Sequence, residues 1–473
     1  MISQINKGIL LLLILLSSCS PKYLKTDRSQ FIKDGDRVPT VNLAAYRSVQ
    51  ERKNQDPDLA VAMAISGGGH RSANFSMGIL LGLEKITLGQ KRNVLAEIDY
   101  FSTVSGGGFA GGAYMAALYD HYLERRDFSF SLSYYYDQRI QFALKRSYAA
   151  NIVLGHLNPV LWFTHADDGD ALEKSVDDYV CGRKFRKGPG KARVPTVSLG
   201  DLFVSKNNPL GKVRFPMMIT NSSILGKMAI FPFTPDVLEQ YQINGYTHRY
   251  KKIISPKYNA YTVPLSIGIK ASGSFPVLIS NTTLRSSFHP KRKFLHLIDG
   301  AMTDNTGYHT AVNILQQDVN VSRKALFIVD ADNVGNASTF SKKEQAQMSI
   351  KVYGRLASSG LDARRIRMNS DIALIAEQVG FNPVYFGFNA FLKNEIEVPK
   401  KIKIKEEQQR LIKLLKEQKE LLSDFDSQIL YELLTNISTK YSIKEGEQNL
   451  LILAGQYLVK IKEAEIRKAL GFE

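Results

Sequence analysis

Cysteine is nearly absent from this chain: of 473 residues, only Cys19 and Cys181 carry a thiol. If Cys19 is modified, no internal disulfide remains, and stability must come from a core that a chain of this length can supply. The eight histidines are scattered and no HExxH or CxxC spacing occurs, so no metal is expected and no cofactor is called for. Tryptophan occurs once, at Trp162. The apolar stretch Gly8–Leu16 spans about 14 Å as a helix, too short for a hydrocarbon core of roughly 30 Å. Acidic residues are in deficit, 45 against 62 Lys and Arg, which leaves a net charge of +17. Such chains meet nucleic acid or anionic membrane; no nucleic-acid motif is visible, so an anionic membrane surface is the expected partner.

The short apolar stretch follows Lys7 and leads through Ser17-Ser18 into Cys19. A positive residue, an apolar run and a small-residue ending describe a secretory signal. The Leu16-Ser17-Ser18-Cys19 ending resembles a bacterial lipobox, which implies a signal peptide over residues 1–18 and acylation of Cys19 as the mature N-terminus. Several acyl chains would anchor it stably where one is marginal. Ser20, rather than Asp, after the cysteine resembles an outer-membrane address; which face is exposed is not readable. Residues 19–59 are polar and turn-rich and read as a tether.

From Ala60 the texture changes. Val61–Ile65 is an apolar run that ends in Ser66-Gly67-Gly68-Gly69, and Asn74–Ile86 follows with helical spacing. Ile98–Val104 repeats the pattern, ending in Ser105-Gly106-Gly107-Gly108 before a small-residue helix. Two strand-turn-helix units in series predict an α/β fold with a mostly parallel central sheet. Phe215–Asn221, Lys227–Phe233, Phe294–Ile298 and Ala325–Val329 read as further strands, and Thr310–Leu315 as part of a helix. The body is expected over residues 60–399. Residues 400–473 form a nearly neutral amphipathic extension with 14 Lys/Arg against 12 Asp/Glu, and with helices near 404–422, 427–439 and 445–470.

Three separated segments carry chemistry. In Ser66-Gly67-Gly68-Gly69-His70-Arg71, consecutive glycines let backbone N–H groups converge at a helix start, as an oxyanion hole requires. No Gly-Lys-Ser/Thr follows, so a phosphate-binding P-loop does not fit. In Thr103-Val104-Ser105-Gly106-Gly107 a serine stands at a strand-to-helix turn flanked by small residues, the pattern of a nucleophile elbow, with a plain glycine turn as the competing reading. In Leu297-Ile298-Asp299-Gly300-Ala301 an aspartate ends a strand; such residues mostly cap turns.

Together these segments resemble the patatin-like phospholipases and the related cytosolic phospholipases A2, which show a Gly-Gly-Gly-x-Arg/Lys loop, a Gly-x-Ser-x-Gly elbow and Asp-Gly-Gly or Asp-Gly-Ala in this order. Ala271-Ser272-Gly273-Ser274-Phe275-Pro276, Thr220-Asn221 with Phe231-Pro232-Phe233-Thr234-Pro235, and Asp304-Asn305-Thr306-Gly307 extend the likeness over about Ala60 to Asp330. The resemblance implies a three-layer α/β/α fold and hydrolysis of acyl esters of phospholipids or lysophospholipids. It makes Ser105 the nucleophile, Asp299 the base, Gly68 and Gly69 the oxyanion donors, Gly67 a shaper of the loop, and Arg71 a holder of lipid phosphate or oxyanion. Thr103 and Ala301 depart from the commonest family residues but remain small.

A Ser-Asp-His triad in α/β-hydrolase order would need a histidine after Asp299, and only His309 qualifies, at the start of a predicted helix. His70 would crowd the donors. An aspartate in a dry site can take the serine proton itself. A lipid-binding lipoprotein that has kept the fold, and an acyltransferase using the same dyad, remain as alternatives. Asp167-Asp168-Gly169-Asp170 lacks the closing Glu of a calcium loop and reads as a helix cap. Trp162, Phe163 and Tyr134–Tyr136 suit either an acyl pocket or the core. The basic loop Arg183–Arg193, with six Lys/Arg, reads as a solvated loop, with contact to anionic headgroups as the competing reading.

Overall fold

A computed structural model describes residues 39–46, 55–89, 92–125, 129–148, 168–186, 196–203, 214–248, 251–254, 259–276, 278–289, 291–331, 372, 374–392, 403–417 and 421–472. The expected signal peptide, Cys19, Trp162, Phe163 and the second half of the basic loop lie outside the described residues. Residues Pro39–Glu473 form one compact unit.

Its frame is a mixed sheet of strands β1 (Leu59–Ile65), β2 (Ile98–Val104), β3 (Met217–Ile224), β4 (Ile230–Phe233), β5 (Ile243–His248), β6 (Lys251–Ile254), β7 (Thr282–Ser286), β8 (Phe294–Asp299), β9 (Arg323–Asp330) and β10 (Phe381–Gly387). The order is β10-β9-β1-β2-β3-β8-β7-β5-β6, with β4 paired to β3. The five strands β10-β9-β1-β2-β3 are parallel, and the rest extend them antiparallel. β1 and β2 are buried at every position, which is why they read as unbroken apolar runs rather than alternating ones.

The longer helices are α1 (Gly69–Lys85), α2 (Gly106–Arg125), α3 (Asp168–Ser175), α4 (Leu265–Ser272), α5 (Tyr308–Gln317), α6 (Ile404–Glu417), α7 (Asp424–Thr435), α8 (Glu445–Ile461) and α9 (Glu463–Leu470). They flank the sheet in an α/β/α arrangement with a helical C-terminal extension. In β1-α1-β2-α2-β3 the strands are neighbours and parallel, so right-handed crossovers place α1 and α2 on one face, where they pack together. α5 packs across β1, β2 and β9.

The extension is part of the body's packing. α8 lies along α1 so closely that a Cβ on Gly78 would overlap the Ile452 carbonyl. Gln448 Nε2 donates to Asn74 Oδ1 at 2.9 Å across this contact. Leu411, Leu415, Leu430, Leu434, Leu451 and Leu458 are buried in the same core as the sheet. The last expected helix breaks at Lys462 into α8 and α9, so that α9 covers the β9–β10 edge: Arg323 Nη1 donates to the Leu470 carbonyl at 2.8 Å.

Candidate active site

Strand β3 brings the two central side chains together. Asn221 is in register with Val104, the last residue of β2, and Ser222 is in register with Asp299, the last residue of β8. Ser105, just past β2, and Asp299 therefore meet over adjacent positions of one strand. Ser105 Oγ donates to Asp299 Oδ2 at 2.8 Å.

Ser105 sits at φ +48, a left-handed conformation rare for a side-chain-bearing residue and costing on the order of 1–3 kcal/mol. The turn is sharp because α2 begins at once: a Cβ on Gly106 would overlap the Gly69 carbonyl, so only glycine lets the two loops touch. The Ser105 N–H donates to Ser272 Oγ at 2.8 Å, and that hydroxyl donates onward to the Asn221 carbonyl at 2.6 Å. Asn221 Nδ2 donates to Ser102 Oγ at 2.9 Å, and Asn221 Oδ1 accepts from Thr310 at 2.7 Å. A row of small polar side chains thus fixes the elbow from below.

Asp299 is 2 % exposed. Its Oδ1 accepts the Ala301 N–H at 2.9 Å, so the residue caps the turn after β8 while its other oxygen faces Ser105. Its own N–H donates to the Ser274 carbonyl at 2.9 Å. Burial pushes its pKa up to about 7, against the smaller opposing pull of the Ala301 N–H and the Ser105 hydroxyl. Among the described residues no cation neutralises it, which keeps the carboxylate basic.

The glycine loop completes the arrangement. The Gly67 N–H is committed to the Asn305 carbonyl at 2.8 Å, inside the Asp304–Gly307 turn that Asp304 Oδ1 organises. Gly68 and Gly69 have φ +132 and +58, and among the described residues neither N–H has an acceptor. Gly67 stands against Ser105, its Cβ direction 3.4 Å from the Ser105 Cβ. Two open N–H groups at the start of α1 beside a serine hydroxyl can hold a developing negative charge.

Other residues singled out in the sequence are placed differently. Arg71 is 3 % exposed, and its Nε and Nη1 donate to the carbonyls of Ala331 and Ile437 at 2.7 and 2.9 Å. A guanidinium so covered by the extension braces the loop and is not turned toward a lipid phosphate. His309 is exposed, with its ring against Tyr308. His70 is buried with Nε2 facing the Arg146 carbonyl at 2.9 Å and Nδ1 facing the Lys440 carbonyl at 3.2 Å; burial depresses its pKa. In the basic loop, Arg183 pairs with Asp177 at 3.1 Å and also with Asp178, and Arg186 pairs with Asp120 at 2.5 Å. Lys184 lies over Tyr179. The competing reading, in which Arg183 and Arg186 face headgroups, does not fit this placement: buried carboxylates nearby claim both. Tyr136 packs into the core, whereas Tyr134 is exposed. Asp168 opens α3. No helix among the described residues is long and apolar enough to cross a membrane.

Ser272, Ser274 and Asn305 are legible in the sequence only as parts of motif-like segments; Lys440 and Tyr441, which the fold brings to this loop from the C-terminal extension, carry no local signal.

An α/β/α body with a serine hydroxyl held against a buried carboxylate at the carboxyl edge of its sheet defines the class. The chain belongs to the patatin-like phospholipase family, whose model matches residues 63–312. Among solved structures it is similar to human GIVD cytosolic phospholipase A2, at 11% identity and TM-score 0.43, covering 88% of this chain and 63% of that one. It is also similar to the same human protein in complex with methyl gamma-linolenyl fluorophosphonate and terbium chloride, at 14% identity and TM-score 0.39, covering 88% and 60%. The chain thus spans less than two thirds of those structures. Comparison with curated proteins gives no match.

Proposed function

We propose that the protein is a lipid acyl hydrolase that cleaves acyl esters of phospholipids or lysophospholipids through an acyl-enzyme on Ser105, with Asp299 as base. The observation that carries this reading is the 2.8 Å hydrogen bond from Ser105 Oγ to a buried, uncompensated Asp299 carboxylate, beside the open Gly68 and Gly69 N–H groups. Ser105 Oγ attacks the ester carbonyl carbon as its proton passes to Asp299 Oδ2, and the carbonyl oxygen becomes an oxyanion facing Gly68 and Gly69. Collapse breaks the bond to the alcohol, which leaves with the proton from Asp299. Water then attacks the acyl-serine as its proton passes to Asp299, and the adduct collapses to the fatty acid as Asp299 returns that proton to Ser105 Oγ. Gly67 and Arg71 hold the loop in place without touching substrate.

The membrane context is part of the proposal. Acylation at Cys19 would tether the chain as a bacterial lipoprotein, in the outer membrane. The surface suited to an anionic bilayer is the rim beyond the carboxyl end of β3. There Leu225 and Met228, on the β3–β4 turn, and Phe294, at the start of β8, are exposed. Lys227, Lys291, Arg292 and Lys293 are exposed with them. The Leu225 N–H donates to the His296 carbonyl, which joins the two turns on the edge of the sheet where Ser105 lies.

Incubation with mixed phospholipids, followed by product analysis, tests the reaction. Free fatty acid and lysophospholipid are expected from the wild type and not from Ser105→Ala. Equal release by both would refute it; acyl groups appearing on an alcohol acceptor would instead make it a transferase. For the membrane claim, Cys19→Ser should move the chain out of the membrane fraction. Residual binding to anionic vesicles should fall more than tenfold in Lys291→Gln/Arg292→Gln/Lys293→Gln, at about 1 kcal/mol per basic group. Unchanged partitioning of Cys19→Ser would remove the anchor, and unchanged vesicle affinity would remove the rim.

A further inference from the structure

The loop between α7 and α8 lies more than a hundred residues past the family-matched region, yet it reaches the candidate site. It is tied there at successive points. The Ile437 carbonyl accepts from Arg71 Nη1 at 2.9 Å, and the Lys440 carbonyl accepts the His70 N–H at 3.0 Å. The Tyr441 carbonyl accepts the Tyr148 N–H at 2.9 Å. A Cβ on Gly69 would lie 2.6 Å from the Lys440 carbonyl oxygen, so the loop is seated against the back of the open N–H groups.

The fourth tie has a different target. Tyr441 Oη donates to the Gly273 carbonyl at 2.8 Å. Gly273 lies between two residues that grip the reacting pair. Ser272 Oγ accepts the Ser105 N–H at 2.8 Å, and the Ser274 carbonyl accepts the Asp299 N–H at 2.9 Å. Ser272-Gly273-Ser274 is therefore a saddle across nucleophile and base, and its central peptide is held by a hydroxyl from the extension. Burial, and then the nearby Asp299 charge, hold the phenol proton on well above the ordinary tyrosine range, so the hydroxyl remains a donor through neutral and mildly alkaline pH.

We infer that Tyr441 is a positioning residue: by fixing the Gly273 peptide it sets the alignment of Ser105 with Asp299. The inference rests on the reading of Ser105 and Asp299 as the reacting pair. It gives the extension a function beyond covering the sheet, because the site is incomplete without this loop. The reason is geometric. The pair works only if the hydroxyl stays within hydrogen-bond reach of the carboxylate, and misplacement on the order of 1 Å costs up to a hundredfold in rate. The saddle ends α4 at Gly273 and has no strand pairing of its own. Its central carbonyl takes a local bond from the Phe275 N–H at 2.9 Å, and the Tyr441 hydroxyl adds a second bond from outside the segment.

Tyr441→Phe tests this, since it keeps the ring and its packing and deletes one hydrogen bond. Two readouts are needed on the full chain: kinetics with p-nitrophenyl butyrate, and hydrogen exchange of the segments holding the Ser105 and Asp299 amides. The expected result is a drop of about tenfold in kcat, equivalent to about 1.4 kcal/mol, with KM within twofold. The acid limb of the pH profile should shift, and exchange at both segments should quicken while the thermal midpoint stays near that of the wild type. Wild-type kcat in Tyr441→Phe, or unchanged exchange at Ser105 and Asp299, overturns the inference. Ser105→Ala separates the two levels. If its esterase activity equals the wild type's, the proposed reaction is wrong, and exchange in Tyr441→Phe still decides whether the clamp exists.

Discussion

The elbow with its aspartate and the α7–α8 loop converge on one place, but they contribute different chemistry. Ser105 and Asp299, the proposed reacting pair, meet through side chains, and each stands where a strand of the sheet ends. The α7–α8 loop acts mainly through backbone carbonyls of Ile437 and Lys440, and through one hydroxyl, on Tyr441. Side chains that react are constrained in type. Carbonyls that brace are not, because every residue carries one. The proposed reacting pair can therefore be found by residue identity, whereas the support that holds it depends on where the chain passes.

The sharpest way to break this division is to remove the reacting side chains. Ser105→Ala deletes the proposed nucleophile, and Asp299→Asn removes the proposed acceptor of its proton. Each alone should lower kcat at least a thousandfold, and the double variant should be little worse than the worse single, as expected for groups sharing one step. Additive losses would mean that the two residues act separately. His309→Ala, at an exposed helix start, should keep near-normal turnover; inactivity there would replace the dyad with a triad.

Gly69→Ala probes the boundary between the two regions. The residue is at φ +58, and its new Cβ would meet the Lys440 carbonyl at 2.6 Å. The substitution disturbs an N–H beside Ser105 and pushes on the α7–α8 loop at once. A loss on the order of a hundredfold in kcat is expected, the size seen when one oxyanion donor is removed. It should come with faster hydrogen exchange around 437–441. Loss of activity with the loop's exchange unchanged would show that loop and donors are not mechanically joined.

The same contrast explains what the sequence made legible. β1, β2 and β9 were visible as apolar runs because they are covered on both faces. β10 was not, since Pro383 interrupts its pattern, and the edge position tolerates a residue without an N–H. β7, five residues from a Ser/Thr-rich stretch, was too short to stand out. Ser105 and Asp299 were named from the small residues around them. Arg71 was read as a ligand because nothing local says that Ile437, more than 360 residues on, would cap it. In the basic loop, Asp120, Asp177 and Asp178 likewise claim Arg183 and Arg186 through the fold, which no local signal shows. The break at Lys462 has no proline or glycine to mark it and follows from α9 turning onto the sheet edge.

The effect most specific to Asp299, and the most gradual, is in pH dependence. Burial raises this carboxyl to about 7, far above the ordinary carboxylate range. As the proposed acceptor of the serine proton it would have to be ionised, so kcat/KM should rise about tenfold per pH unit below 7 and level off above it. Stability should move the opposite way. A carboxyl whose folded pKa exceeds its unfolded value stabilises the fold fully below the unfolded pKa, and that contribution is lost as pH rises through the folded one. Between about pH 4 and pH 7 the unfolded chain releases this proton while the folded chain keeps it, a difference of at most about 4 kcal/mol at 1.36 kcal/mol per unit. Asp299→Asn does not titrate, and every other group is common to both proteins. The thermal midpoint of the variant minus that of the wild type should therefore grow from pH 4.5 to pH 7.5 and stay constant beyond. A gap that is flat across this window would mean that Asp299 ionises at its ordinary pKa, and that the dry site proposed to make it a base is wet.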